Sequence, residues 1–183
     1  MLRLLLGGAR SGKSALAIAF GEADGGPVCF LATAEGLDHE LAQRIERHRD
    51  ERPADWTTIE EPIALDSVLA SVPHAALAIV DCLTLWVANC LGAGLDEMRV
   101  EERARRFAEV AATRGRDVLV VSNEVGSGIV PADAPSRRYR DLLGRVNAIV
   151  AAAAGDARLV VAGRLLVLEA PSAAACSPAG PQR

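Results

Sequence analysis

Short apolar runs alternate with longer amphipathic stretches along the chain. Leu2–Leu6 is apolar apart from Arg3, and Val28–Ala32, Leu77–Asp81 (an apolar run ending in a carboxylate), Asp117–Ser122 and Arg158–Ala162 repeat the same mainly apolar pattern. None of these runs alternates with period two, so each reads as a strand buried on both faces. Between them the spacing predicts helices over Lys13–Glu22, Leu37–Asp50, Ala64–Ala70, Leu85–Leu91, Asp96–Thr113 and Arg137–Ala154. In the second of these, Leu37, Leu41 and Ile45 recur every four residues; in the last, Tyr139, Leu142, Leu143, Val146 and Ile149 form one stripe. Trp56–Glu60 reads as a short strand and Leu165–Leu168 as an edge strand. Asp24-Gly25-Gly26-Pro27 marks a turn, Arg52-Pro53 a helix end, and Asn123–Pro135 a loop. Strands separated by helices imply an α/β domain with a mostly parallel central sheet covered on both faces.

The 183 residues suit one domain, expected over 1–170, with 171–183, rich in Ala, Pro, Ser and Gly, as a disordered tail. Half the residues are hydrophobic but only 3% aromatic, so the core must be built from Leu, Val, Ile and Ala. A net charge of −4 gives no nucleic-acid footprint. The apolar start ends at Gly7, too short for a signal-peptide core or a membrane span, so a cytoplasmic protein is expected. Cys29, Cys82, Cys90 and Cys176 form no C-x-x-C pair and read as reduced thiols.

Gly7-Gly8-Ala9-Arg10-Ser11-Gly12-Lys13-Ser14 fits G-x-x-x-x-G-K-[ST] between a strand and a helix. Glycines let backbone amides curl around phosphate oxygens, and the helix N-terminus adds its positive dipole end. Lys13 can reach the outer phosphates and Ser14 can ligate magnesium. Asp81 ends its apolar strand as a Walker-B carboxylate does, or else caps the next helix. No Asn-Lys-x-Asp is present, which disfavours a Ras-like switch.

Arg44, Arg47, His48, Arg49 and Arg52 cluster at a helix end, where positive charge suits the dipole. His48 falls on the side of Leu37, Leu41 and Ile45. From spacing it is either a structural histidine or an imidazole able to attack phosphorus with arginines alongside. Asn123-Glu124 falls at a strand's C-terminal end, where such sheets bind ligands. Glu124 there either polarises a substrate hydroxyl, reaches magnesium through water, or caps its own loop. Arg138 and Arg145 share a helix face, for phosphate binding or for salt bridges.

The phosphate loop, Ala32-Thr33, Arg44-Ile45 with His48, Arg52 and Trp56, Ser122–Pro131, and Arg138–Asp141 with Gly144–Asn147 together resemble one family over about residues 2–163. It is the bifunctional adenosylcobinamide kinase / adenosylcobinamide-phosphate guanylyltransferase family of cobalamin biosynthesis. The resemblance implies a three-layer, RecA-like P-loop NTPase fold. It implies phosphorylation of adenosylcobinamide with ATP or GTP, then transfer of GMP from GTP through a GMP-histidine intermediate on His48. Catalytic roles would fall to His48, Lys13 and Glu124. The nucleotide would lie against Gly7, Gly8, Ala9, Arg10, Ser11, Gly12, Lys13 and Ser14, against Ala32, Thr33 and Ala34, and against Arg49, Asp50, Glu51, Arg52, Glu60 and Asp81. Ser14 and Asp81 would hold Mg2+. A homotrimer acting on a small-molecule corrinoid, with neither nucleic acid nor membrane insertion, is also implied. The ending Gly163–Glu169 departs from the family's usual one. The competing readings are a P-loop kinase of another small alcohol, with His48 structural, and a nucleotide sensor without turnover.

Overall fold

The computed structural model describes residues 1–35, 46 and 48–171. The expected helix over Leu37–Asp50 lies mostly outside these residues, as do Cys176 and the predicted tail from 172 onward. Glu46 and His48–Asp50 are helical.

Seven strands form one sheet in the order β3-β2-β4-β5-β1-β6-β7. They are β1 (Leu2–Gly7), β2 (Val28–Ala32), β3 (Thr57–Glu60), β4 (Leu77–Asp81), β5 (Val118–Val121), β6 (Asp156–Val161) and β7 (Arg164–Val167). Every pairing is parallel except β6 with β7. The helices are α1 (Lys13–Asp24), α2 (Leu65–Ser71), α3 (Leu83–Gly92), α4 (Glu97–Thr113) and α5 (Ala134–Ala153).

Successive strand residues feed opposite sides of the sheet, as the pleat requires. Leu5, Phe30, Ile79 and Leu119 pack with Ala17 of α1 on one side. Leu4, Leu31, Val80 and Val120 pack with Trp86, Phe107 and Leu143 of α3, α4 and α5 on the other. Both sides are apolar, which explains the uninterrupted apolar runs in the sequence. The buried face of α1 carries the small residues Ala17 and Gly21. Trp56 fills the gap against Gly21, where an added Cβ would come within 2.4 Å of the indole.

Helix α5 starts at Ala134, three residues earlier than its periodicity predicts. Asp133 caps it by accepting from the Ser136 amide at 2.8 Å, and Pro135 sits in the first turn, where its missing N–H costs nothing. Strand β6 likewise begins two residues early, drawn in by pairing with β1. On the face shared by α4 and α5, Arg138 and Arg145 both bond Glu97, and Arg145 also bonds Glu101. Their role is therefore ion pairing between helices.

Candidate active site

The C-terminal ends of β1, β2, β4 and β5 open on one cleft. A cavity of about 530 Å3 lies there, bounded by Ser11, Lys13, His48, Arg52, Asp81 and Asn123 among others. Parallel order puts four strand ends on one edge, so residues distant in sequence converge.

The phosphate loop is held by its neighbours on the sheet. Gly7 passes so close to β6 that an added Cβ would sit 2.4 Å from the Val160 carbonyl oxygen. The turn between β6 and β7 touches the loop as well, where the Gly163 amide donates to the Ser11 carbonyl at 2.8 Å. Gly12 has φ 101° and Arg10 φ 57°, both left-handed. Lys13 is buried and folds back onto the loop, donating to the carbonyls of Gly7 (2.9 Å) and Gly8 (2.7 Å). Burial pushes its ammonium below the ordinary lysine value, and the charge of Asp81 opposes that shift. The lysine therefore borrows main-chain acceptors where a phosphate would serve it better.

Asp81 closes β4 beneath the loop. Burial raises its carboxyl above the usual range; a hydrogen bond from Ser14 and the charges of His48, Arg52 and Lys13 pull the other way. The adjacent Cys82 thiol is pushed up to about 11 by burial and by Asp81, so it is protonated at neutral pH and no nucleophile. Thr33 is fully buried behind the cleft. Its hydroxyl ties β2 to the Asp81-Cys82 segment, and its carbonyl accepts from Asn89 of α3 at 2.7 Å.

His48, Glu51 and Arg52 also bound the cavity. That guanidinium sits 4.1 Å over the Phe30 ring and donates to the His48 carbonyl (2.8 Å) and the Thr58 hydroxyl (3.1 Å). Phe30 in turn stacks on Trp56. Arg52 is thus the bolt that fixes His48 against the sheet. His48 is half-exposed, bounds the cavity, and has Nδ1 3.3 Å from Glu51 Oε2.

Of the sequence-predicted residues, Ala9–Ser14, Ala32, Ala34, His48, Glu51, Arg52 and Asp81 bound the cavity. Gly7, Gly8, Thr33, Arg49, Asp50, Glu60 and Glu124 do not. Arg49 and Glu60 pair with each other at 2.9 Å on the exposed side. Glu124 turns its carboxylate onto its own loop and accepts from the amides of Gly126 and Ser127. Its main chain nevertheless touches the phosphate loop, with the Glu124 amide donating to the Gly7 carbonyl at 3.0 Å.

Sequence reasoning did not find the support behind Asn123. Asn147 of α5 is buried; it accepts from the Ser122 hydroxyl at 2.7 Å and donates to the Asn123 carbonyl at 3.0 Å. Thr84 accepts from the Asn123 amide at 2.8 Å, and the Tyr139 hydroxyl donates to the Thr84 carbonyl at 3.1 Å. The available signal was a lone Asn beside Val146 in an apolar stripe, since a buried amide needs partners.

A model of the family described as cobinamide kinase / cobinamide phosphate guanyltransferase matches residues 3–168. The bifunctional adenosylcobalamin biosynthesis protein CobP of Pseudomonas aeruginosa is 41% identical over 164 residues, covering 89% of this chain and 94% of that protein. CobU of Escherichia coli, with the same description, is 38% identical over 176 residues, covering 89% of this chain and 97% of its own. Among solved structures, an ATPase of a bacterial type III secretion system superposes with a TM-score of 0.51 at 12% identity, over 86% of this chain and 51% of that one. That likeness concerns the fold alone, a three-layer RecA-like P-loop NTPase.

Proposed function

The chain belongs to the cobinamide kinase / cobinamide phosphate guanyltransferase family, and on that premise we propose how one cleft carries out both of its reactions. The protein is an adenosylcobinamide kinase and adenosylcobinamide-phosphate guanylyltransferase. The observation that carries our reading is that Lys13 and His48 bound the same cavity.

In the kinase reaction the amides of Gly8–Ser14 and the Lys13 ammonium grip the β- and γ-phosphates of ATP or GTP. Lys13 exchanges its bonds to the Gly7 and Gly8 carbonyls for phosphate oxygens. The corrinoid hydroxyl attacks the γ-phosphorus in line, and Lys13 neutralises the charge that develops on the leaving phosphate. The carboxylate of Glu124 assists that hydroxyl once released from its loop.

In the transferase reaction His48 attacks the α-phosphorus of GTP, and pyrophosphate leaves. The phosphate of adenosylcobinamide-phosphate then attacks the GMP-histidine to give adenosylcobinamide-GDP. Two in-line displacements replace one difficult exchange. Arg52 holds the His48 main chain in place, and Arg49, Asp50, Glu51 and Glu60 contribute to the nucleotide's surroundings.

The Ser14 hydroxyl and Asp81 carboxylate are hard oxygen donors that both bound the cavity, and they fit Mg2+. Among the described residues no three His, Cys, Asp or Glu side chains gather as a metal site. A cation held by two protein oxygens and the nucleotide phosphates matches that donor set; when bound, it supplies charge stabilisation to the phosphates. We also assign the protein to the cytoplasm and to a homotrimer, in keeping with the family; no helix among the described residues is long and apolar enough to cross a membrane.

The deciding experiment is incubation with α-labelled GTP and magnesium, followed by peptide mapping. Acid-labile label on His48 supports the reading. Label on another residue, or none while GMP transfer proceeds, overturns it.

A further inference from the structure

The exposed carboxylate beside His48 has so far been assigned only to the nucleotide's surroundings. Glu51 Oε2 lies 3.3 Å from His48 Nδ1, one helical turn along, and both residues bound the nucleotide cavity. Arg49 is not available as a competing partner, because it pairs with Glu60. Arg52 is occupied by Phe30, Thr58 and the His48 carbonyl. Among the described residues, Glu51 is the carboxylate within ion-pairing distance of the imidazole, whose charge also acts on Asp81.

We propose that Glu51 is a positioning residue for the guanylyl transfer, holding His48 in the tautomer protonated at Nδ1 and leaving the Nε2 lone pair as the nucleophile. This rests on the assignment of His48 as the GMP carrier. An imidazole has two nitrogens, and the hydrogen bond made by one decides which is free to react. A carboxylate accepts only, so Nδ1 must carry the proton.

The bonds balance without a further proton carrier. The Nε2 lone pair forms the bond to the α-phosphorus, while the bond from that phosphorus to the α–β bridging oxygen breaks. Pyrophosphate leaves with that electron pair. The ring, still protonated at Nδ1, is now cationic, and the Glu51 carboxylate offsets its charge. When a phosphate oxygen of adenosylcobinamide-phosphate attacks, the N–P bond breaks and its pair returns to Nε2. The Nδ1 proton stays in place throughout.

The test is single-turnover labelling of the full-length protein by α-labelled GTP, comparing wild type, Glu51→Ala and Glu51→Gln. Glu51→Ala should lower the labelling rate at saturating GTP about fivefold, the scale of a half-exposed ion pair. Glu51→Gln keeps an acceptor oxygen for Nδ1–H but not the charge, and should recover part of that loss. An Ala variant whose saturated rate is unchanged and whose GTP requirement alone rises would make Glu51 a nucleotide contact and overturn the proposal. Equal losses in Ala and Gln would overturn it too. Wild-type protein carrying no label on His48 would instead remove the assignment beneath it, so the two failures are separable.

Discussion

The Thr33 hydroxyl and the main chain of Cys82 are joined in both directions: Thr33 Oγ1 donates to the Cys82 carbonyl at 2.7 Å and accepts from its amide at 2.8 Å. The Thr33 amide also donates to the Asp81 carbonyl at 3.1 Å. One side chain thereby fixes the end of β2 and the carboxylate that closes β4. Thr33→Val keeps the shape but leaves the Cys82 amide unpaired, while the Cys82 carbonyl keeps only the Trp86 amide. We expect a loss of about 2 kcal/mol in stability, measured by urea denaturation, with weaker nucleotide binding. Unchanged midpoint and affinity would show that the link carries no weight.

Lys13→Ala should cripple both activities, since each reaction needs the same phosphates held. Steady-state assays of kinase and guanylyl transfer would show both falling together. Normal turnover in this variant would separate the loop from catalysis.

His48→Ala should abolish guanylyl transfer while most phosphorylation remains, because only the transferase reaction uses the imidazole. Parallel assays on one preparation test this. Equal loss of both activities would count against a dedicated role.

Asp81→Asn should stabilise the nucleotide-free protein at neutral pH while impairing both reactions. Burial raises the Asp81 carboxyl, so its stabilising contribution belongs to the protonated form and is lost as pH rises through the folded-state value. Wild type therefore carries a penalty at pH 7 that Asn removes. The advantage should shrink as pH falls toward about 4, where the unfolded carboxyl is also becoming protonated. Urea midpoints at the two pH values, with chelator and no nucleotide, give the comparison. A less stable Asn variant at pH 7 would contradict the argument.

Arg114 lies away from the cleft. Its buried guanidinium gathers the carbonyls of Leu69, Val72, Pro73 and Ala76, which end α2 and lead into β4. Arg114→Met should cost about 3 kcal/mol in denaturant unfolding. KM for nucleotide should not change, because none of these partners bounds the cavity. A raised KM would mean that strain from this knot reaches the site.

The sequence by itself determined the layer order and the phosphate grip. Runs such as Val28–Ala32 and Leu77–Val80 are short, continuously apolar and bounded by turns, as strands covered on both faces are, and strand–glycine loop–helix is a local arrangement that needs no distant partner. It also marked Asp81, a charge at the end of an apolar run, and His48 as a candidate. Tertiary structure decided which of these residues work together. The cleft exists because the parallel order β2-β4-β5-β1 brings four strand ends to one edge, and that order depends on long-range pairing invisible to local periodicity. The same holds for Thr33 on Cys82, Asn147 on Asn123, the β6–β7 turn on Ser11, and Arg52 on Phe30. Each is a contact between segments that the fold alone makes neighbours. Local pattern cannot encode them, because a polar side chain chooses its partner from whatever the folded chain leaves unpaired nearby.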